Sequence, residues 1–270
     1  MKKLSDNAYN VYSQFGEDGI IESLFDLIGT TSKVCIEFGA WDGLHLSNTA
    51  NLWKNGWGAI LIEADPQKHL SLLKNVDGYN CIALNEFVGS EGEHTLENIL
   101  RENEIDLYEQ IDFMSIDIDG DDYYVFQSFS TSFRPRVVSC EYNPTIPPQF
   151  EIVPQCGNYF GCSALSLVKL AGEKGYSLVA MTETNCFFVV EEEFSKFAEF
   201  ETRLDHLFIS KHIAYLMSGY DGSYILSQRP TYGFCKPAQI DIHGQYFIPT
   251  QCKRRVIAAL ANTFLKGQDR

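Results

Sequence analysis

Positive charge is scarce in this chain: 21 Lys and Arg stand against 36 Asp and Glu in 270 residues, a formal net charge of −15. Phosphate backbones and anionic headgroups are held by Lys and Arg, so a surface of this sign argues against nucleic acid and anionic lipid as partners. Long apolar runs are missing too. No stretch of about 18 apolar residues occurs, so no transmembrane helix is expected. The two lysines of MKKLSDNAYN are not followed by an apolar segment, so no signal peptide is expected and a cytoplasmic location is the default. Cysteines at metal-ligand spacing are also lacking. Only Cys156 and Cys162 are close, and C-x5-C is not a usual zinc spacing; Cys35, Cys81, Cys140 and Cys186 fall in apolar strand-like runs. All eight are expected to be reduced and structural. Internal repeats and low-complexity tracts are absent. What remains, 45% hydrophobic and 21% charged, is an ordinary globular composition. Its length suits one large α/β domain with an appendage, or two small domains.

The apolar pattern has a clear rhythm. EDGIIESLFDLI (17–28) reads as a helix with acids at its start. Strand-like runs recur at 33–38, 58–63, 79–84, 112–117 and 136–141, separated by helix-compatible segments at 66–75 and 95–104. Strand, helix, strand in this order predicts right-handed crossovers and a parallel sheet. CSALSLVKLAGEKGY (162–176) reads as a helix ending at a glycine stop. SLVAMTE and NCFFVV follow with only a short link, which predicts an antiparallel hairpin. Past Val190, EEEFSKFAEFETRLDHLFISKHIAYL reads as a helix or two, the stretch from Ser218 to Thr250 as irregular and aromatic, and RRVIAALANTFL as a closing helix. The division is therefore a core of 1–190 and an extension of 191–270, a candidate cap, acceptor-binding surface or homodimer contact.

Ligands of open α/β sheets sit beyond the carboxyl ends of the strands. Here the first strand ends at Glu37 and turns through Gly39 and Gly43, and the second ends at Glu63. Such a turn brings backbone N–H groups to a ligand, and the later acid faces a ribose diol. The spacing E-x-G-x-x-x-G differs from the G-x-G-x-x-G that admits a pyrophosphate. That points away from NAD and towards S-adenosylmethionine (SAM). Five parallel strands, a helix and a terminal hairpin also describe the class I SAM-dependent methyltransferase fold: α/β, Rossmann-like, with a mostly parallel seven-stranded sheet. Asp42 either holds water or the methionine amino group, or caps a helix.

The remaining strand ends are acidic. The fourth reaches SIDIDGDDY, with Asp117, Asp119, Asp121 and Asp122, and the fifth reaches SCEYN, with Glu141 and Asn143. Asp117, Glu141 and Asn143 would converge as a hard, all-oxygen site for Mg²⁺, Mn²⁺ or Ca²⁺. A divalent ion there could lower the pKa of a sugar or catechol hydroxyl. The competing structural explanation makes DGDD a turn and pairs Glu141 with Arg134 or Arg136. The basic Lys253–Arg255 segment is either an anion pocket or a solvated helix end. His45 follows the glycine turn, close to where a methyl donor would sit. His206 and His212 are six apart rather than at the i, i+4 spacing of a helical metal pair. A lone histidine is more often a polar surface or core residue, so none stands out as the base.

YSQFGEDGII (12–21), IEFGAWDGLHLSNT (36–49), LIEADP (61–66), SIDIDG (115–120), CSALSLVKLAGEKGYSLV (162–179) and NCFFVV (185–190) together resemble the FkbM-type SAM-dependent methyltransferases. The resemblance implies transfer of a methyl group to a hydroxyl of a sugar, glycan or natural product. It implies that Gln14, Ser47, Asn48 and Thr49 hold the methionine end of the cofactor. Glu37, Gly39, Glu63 and Ala64 would line its middle and ribose, and Asp117 and Asp119 match the acidic pair after the fourth strand. Glu141-Tyr142-Asn143 departs from the Asp-Asn pair of magnesium-dependent O-methyltransferases by one inserted residue. Gly120 stands where catechol-type enzymes carry a lysine, which leaves Asp119 or a residue of the extension as the base. The expectation is a metal-assisted O-methyltransferase taking a sugar or nucleotide-sugar acceptor. A NAD-dependent oxidoreductase and a non-catalytic SAM- or metal-binding module are its rivals.

Overall fold

A computed structural model describes residues 1–105, 111–130, 132–228, 232 and 245–246. The chain forms two compact units, Met1–Ile209 and one that begins at Ser210. In the first, the helix α1 (Glu17–Ile28) leads into strand β1 (Val34–Phe38), followed by α2 (Ala50–Lys54), β2 (Gly58–Ile62), α3 (Pro66–Asn75), β3 (Cys81–Leu84), α4 (Leu96–Glu102), β4 (Phe113–Ile116), α5 (Asp122–Ser128), β5 (Val137–Glu141), α6 (Ala164–Glu173), β6 (Tyr176–Met181) and β7 (Asn185–Val190). The seven strands form one sheet in the order β3-β2-β1-β4-β5-β7-β6. The first five are parallel, and β7 runs antiparallel to both β5 and β6. The mostly parallel α/β sheet with a terminal hairpin expected from the strand rhythm is therefore present.

Local chemistry explains where the helices begin and stop. Asp65 caps α3 by accepting the N–H groups of Gln67 and Lys68, with Pro66 at the first helical position. Ser163 caps α6 by accepting the N–H of Ser166. The central strands are buried on both faces, and alternate residues feed two cores. Ile36, Ile60, Met114 and Val138 meet the apolar faces of α4, α5 and α6. Cys35, Leu61, Phe113 and Val137 meet α1, α2 and α3. Two layers of helices thus clamp the sheet, and only its edges reach solvent.

A buried ion pair locks the amino edge. Arg136 donates to Asp112 at 2.8 Å and to Glu193 at 2.7 Å, and Asp112 also accepts the N–H groups of Thr31, Ser32 and Lys33. Arg134 pairs with Glu192 at 2.9 Å. Both arginines precede β5, whereas Glu141 ends it. The pairing of Glu141 with either of them, the structural alternative to a ligand role, is thereby ruled out.

Past β7 the expected helix or two is broken into single turns: α7 (Glu191–Phe194), α8 (Leu204–Leu207) and the 3₁₀ segments Ser195–Phe197 and Ser210–His212. In the second unit, β8 (Leu216–Ser218) and β9 (Tyr224–Leu226) form an antiparallel hairpin; β8 begins at the last residue of the expected helix, and β9 lies inside the stretch expected to be irregular. The closing helix, Lys253–Arg255, Cys235 and Cys252 lie outside the described residues. The described cysteines are free thiols, with Cys35, Cys140, Cys162 and Cys186 buried. Among the described residues no helix is long and apolar enough to cross a membrane.

Candidate active site

The carboxyl edge of the sheet gathers most of the residues singled out from the sequence. Gly39 follows β1 directly with φ +76°, and a Cβ there would lie 1.9 Å from the Asp117 carbonyl oxygen. The glycine is therefore needed for the β1 loop to press against the end of β4. Gly43, at φ +80°, faces the tip of Leu72 instead, 2.6 Å from where its Cβ would sit. Between and beyond them, Trp41 and Leu46 also have positive φ, as does Asp119 in the β4 loop. Three of the five described non-glycine residues in that conformation thus flank one edge, a concentration of backbone strain typical of working sites.

Glu37, 4% exposed, is the organising carboxylate of the β1 loop. It accepts the Ser47 and Thr49 hydroxyls, each at 2.6 Å, and the Asn48 N–H at 2.8 Å. Burial raises its pKa, and those three hydrogen bonds oppose the rise. Asn48 continues the network to the Ser115 hydroxyl at 3.0 Å, which is met by Ser139 at 3.1 Å. Glu37, Ser47, Asn48 and Thr49 are thus brought together, with the side chains of Glu37, Ser47 and Thr49 bonded to one another. Asp42 accepts the Leu44 and His45 N–H groups in a tight turn and caps no helix. Glu63, at the end of β2, accepts the Trp41 N–H at 2.8 Å and the Asp65 N–H at 2.7 Å, which ties the β2 end to the β1 loop. Asn85 donates to the Glu63 and Ala64 carbonyls.

The segment before α1 covers the same end. Asp18, 2% exposed, gathers the Val11, Tyr12 and Ser13 N–H groups and the Ser13 hydroxyl on its Oδ2, while its Oδ1 is buried without a partner. Glu17 accepts the Thr182 hydroxyl at 2.8 Å and the Asn185 amide at 3.3 Å, which fastens this segment to the β6–β7 turn. Gln14 is exposed beside it.

Asp117, Asp122 and Glu141 form the chemically distinctive group: their carboxylate oxygens lie within 4.8 Å of one another. Burial raises the Asp117 pKa well above the ordinary range, and the charges of Asp122, Asp119 and Glu37 add to it. Asp122 is pushed up to about 6, chiefly by burial, against the stabilising N–H groups of Ile118 and Gly120. Three mutually repelling carboxylates in a half-buried site call for protons or a cation between them. Asp119 is exposed on the same loop. Asn143 is placed differently from its expected ligand role. Its Oδ1 accepts the Thr145 N–H and hydroxyl, and its Nδ2 donates to the Phe160 carbonyl. Asp122 stands in the cluster where Asn143 was expected. The sequence signal was available, as Asp122 belongs to the same DIDGDD run, but the turn that folds it back on Asp117 is not visible in the spacing.

The long connection from β5 to α6 packs onto this loop: Asp121 accepts the Gly157 N–H at 2.9 Å, and Asn158 and Tyr159 lie against Gly120. It leaves Phe150, Tyr159 and Phe160 more than half exposed.

No protein-family model and no curated protein sequence matches the chain. Among solved structures it is similar to a SAM-dependent methyltransferase from Clostridium acetobutylicum, with 8% identity, 64% of this chain and 90% of that one covered, and a TM-score of 0.42. A TehB-like SAM-dependent methyltransferase from Corynebacterium glutamicum is 11% identical, with coverage of 69% and 91% and a TM-score of 0.36. The CurJ carbon methyltransferase is 8% identical, with coverage of 66% and 56% and a TM-score of 0.43.

Proposed function

We propose that this chain is a SAM-dependent O-methyltransferase of the FkbM type that acts, with a divalent cation, on a hydroxyl of a sugar, nucleotide-sugar or polysaccharide precursor. The observation that carries this is the convergence at one sheet edge of the strained β1 turn, the acid ending β2 and the Asp117–Asp122–Glu141 cluster.

The residues fit the cofactor. Each Glu63 oxygen accepts one backbone N–H and keeps a lone pair for a ribose hydroxyl. Asp18 Oδ1, in the first turn of α1 four residues after Gln14, is a buried acceptor with no donor, a need that an ammonium group would meet. SAM supplies an electrophilic methyl group on a sulfonium sulfur. Glu37 holds Ser47, Asn48 and Thr49 in place, so the loop that lines the cofactor is set before it arrives. A cation held by Asp117, Asp122 and Glu141 would offset their repulsion and make an acceptor hydroxyl more acidic. Asp119, at the exposed loop tip, takes the acceptor proton. The exposed rings of Phe150, Tyr159 and Phe160 give a sugar apolar faces to pack on. Residues 1–190 carry this chemistry, and 191–270 form the appendage.

Calorimetric titration with SAM in EDTA tests the core claim. One site per chain is expected, and Glu63→Ala weakens it at least about tenfold, or ~1.4 kcal/mol. No SAM heat from folded protein, or heat from NAD instead, overturns the proposal. Transfer of radiolabelled methyl to nucleotide sugars should fall in EDTA and return with Mg²⁺. Turnover indifferent to EDTA would remove the cation and keep the methyltransferase.

A further inference from the structure

The register of the closing strands sets an amide opposite one member of the acidic cluster, Glu141. β5 and β7 are antiparallel with Glu141 opposite Asn185. The Tyr142 N–H donates to the Thr184 carbonyl at 2.7 Å, which makes Glu141 and Asn185 a non-hydrogen-bonded pair. In such a pair the two side chains leave the same face of the sheet at their closest spacing, with Cα atoms about 4.5 Å apart. Asn185 is 4% exposed. Its Nδ2 donates to Glu17 Oε1, and a carboxylate at that position fixes which end of the amide is nitrogen. The amide oxygen is left buried with no hydrogen-bond partner. An unmet buried acceptor costs about 1–3 kcal/mol. The cross-strand neighbour of Asn185 is Glu141 of the acidic cluster, and no protein group donates to the amide oxygen.

We propose that Asn185 Oδ1 is the neutral fourth oxygen of a divalent-cation site whose other donors are Asp117, Asp122 and Glu141. The proposal rests on the cation-assisted function above and deepens it. Four protein oxygens fill four of the roughly six positions of an octahedral hard cation. The two left over match the two oxygens of a vicinal diol, which narrows the acceptor to a sugar bearing adjacent free hydroxyls. Asn185 also connects this site to the start of α1 through Glu17, so the cation and the cofactor-side edge share one support.

The test uses Mn²⁺ alone, with free Mn²⁺ followed by electron paramagnetic resonance, on the full chain. Wild type should bind one Mn²⁺, and Asp117→Asn should lose it. Asn185→Leu should weaken it roughly 10–100-fold. Undiminished Mn²⁺ affinity in Asn185→Leu, alongside loss in Asp117→Asn, overturns the role of Asn185 and leaves the cation reading standing. No Mn²⁺ binding by wild type removes the cation itself. Should Asn185→Leu fail to unfold cooperatively, Asn185→Asp decides: it keeps the oxygen and adds charge, so tighter binding is expected and weaker or equal binding overturns the proposal.

Discussion

Gly39→Ala is the sharpest test of how the site is built, because two separable costs meet there. The first is conformational: φ +76° is left-handed, which costs an L-residue about 1–2 kcal/mol. The second is steric. The new Cβ would lie 1.9 Å from the Asp117 carbonyl oxygen, where ordinary contact begins at 3.4 Å. That neighbour is backbone at the end of a buried central strand and cannot rotate away, so the β1 loop or the β4 end must shift, at about 1–3 kcal/mol. The sum is roughly 2–5 kcal/mol, a large share of a typical domain's stability. Gly78→Ala is the control: φ is +82° and nothing lies within 4 Å, so it bears only the conformational cost. Urea unfolding of both variants, read at unchanged m-value, measures the difference. Gly39→Ala should be less stable than Gly78→Ala by about 1–3 kcal/mol and should bind SAM more weakly, since the loop carrying Trp41 and Glu63's contact moves with it. Equal midpoints for the two variants would refute the claim that the β1 loop is pinned against the Asp117 carbonyl.

Three further outcomes follow from the same structure. Arg136→Leu leaves the fully buried Asp112 without its cation and should destabilise the fold by about 3–5 kcal/mol, whereas breaking the exposed Arg134–Glu192 pair with Arg134→Ala should cost about 0–1 kcal/mol; thermal melts that rank them the other way contradict the amino-edge assignment. Glu201 is held down to about 2, first by the Arg203 N–H and then by His206. Its folded pKa is below the unfolded value, so its contribution is present above about pH 4.5 and is lost as pH falls towards 2. Glu201→Gln should therefore flatten the acid limb of the stability curve, and an unchanged limb would count against the contact. Glu37→Gln should loosen the Ser47–Thr49 loop, seen as faster amide hydrogen exchange at Asn48, because the amide accepts on only one of the two oxygens now occupied.

Much of this protein was legible in its sequence because the relevant signals are local and periodic. Apolar runs ending in Glu37, Glu63, Asp117 and Glu141, spaced by helical segments, are enough to predict a parallel sheet with an acidic carboxyl edge. The short link before NCFFVV is enough to predict the closing hairpin, since two strands joined by three residues can only run antiparallel. Residue identity alone also marks Gly39, because a glycine after a buried strand points to a turn. What spacing cannot encode is which side chains face each other across the sheet. The carboxylate of Glu37 is spent on its own loop, Asn143 on the Thr145 turn, and Asp122 folds back to join Asp117. Asn185 stands opposite Glu141 only through the antiparallel register of β5 and β7. The arginines beside β5 look in sequence like partners for Glu141, yet they lie at the opposite end of that strand with Asp112, Glu192 and Glu193. Periodicity determines which face of an element is buried, while hydrogen-bond register between distant strands decides which polar groups share a site.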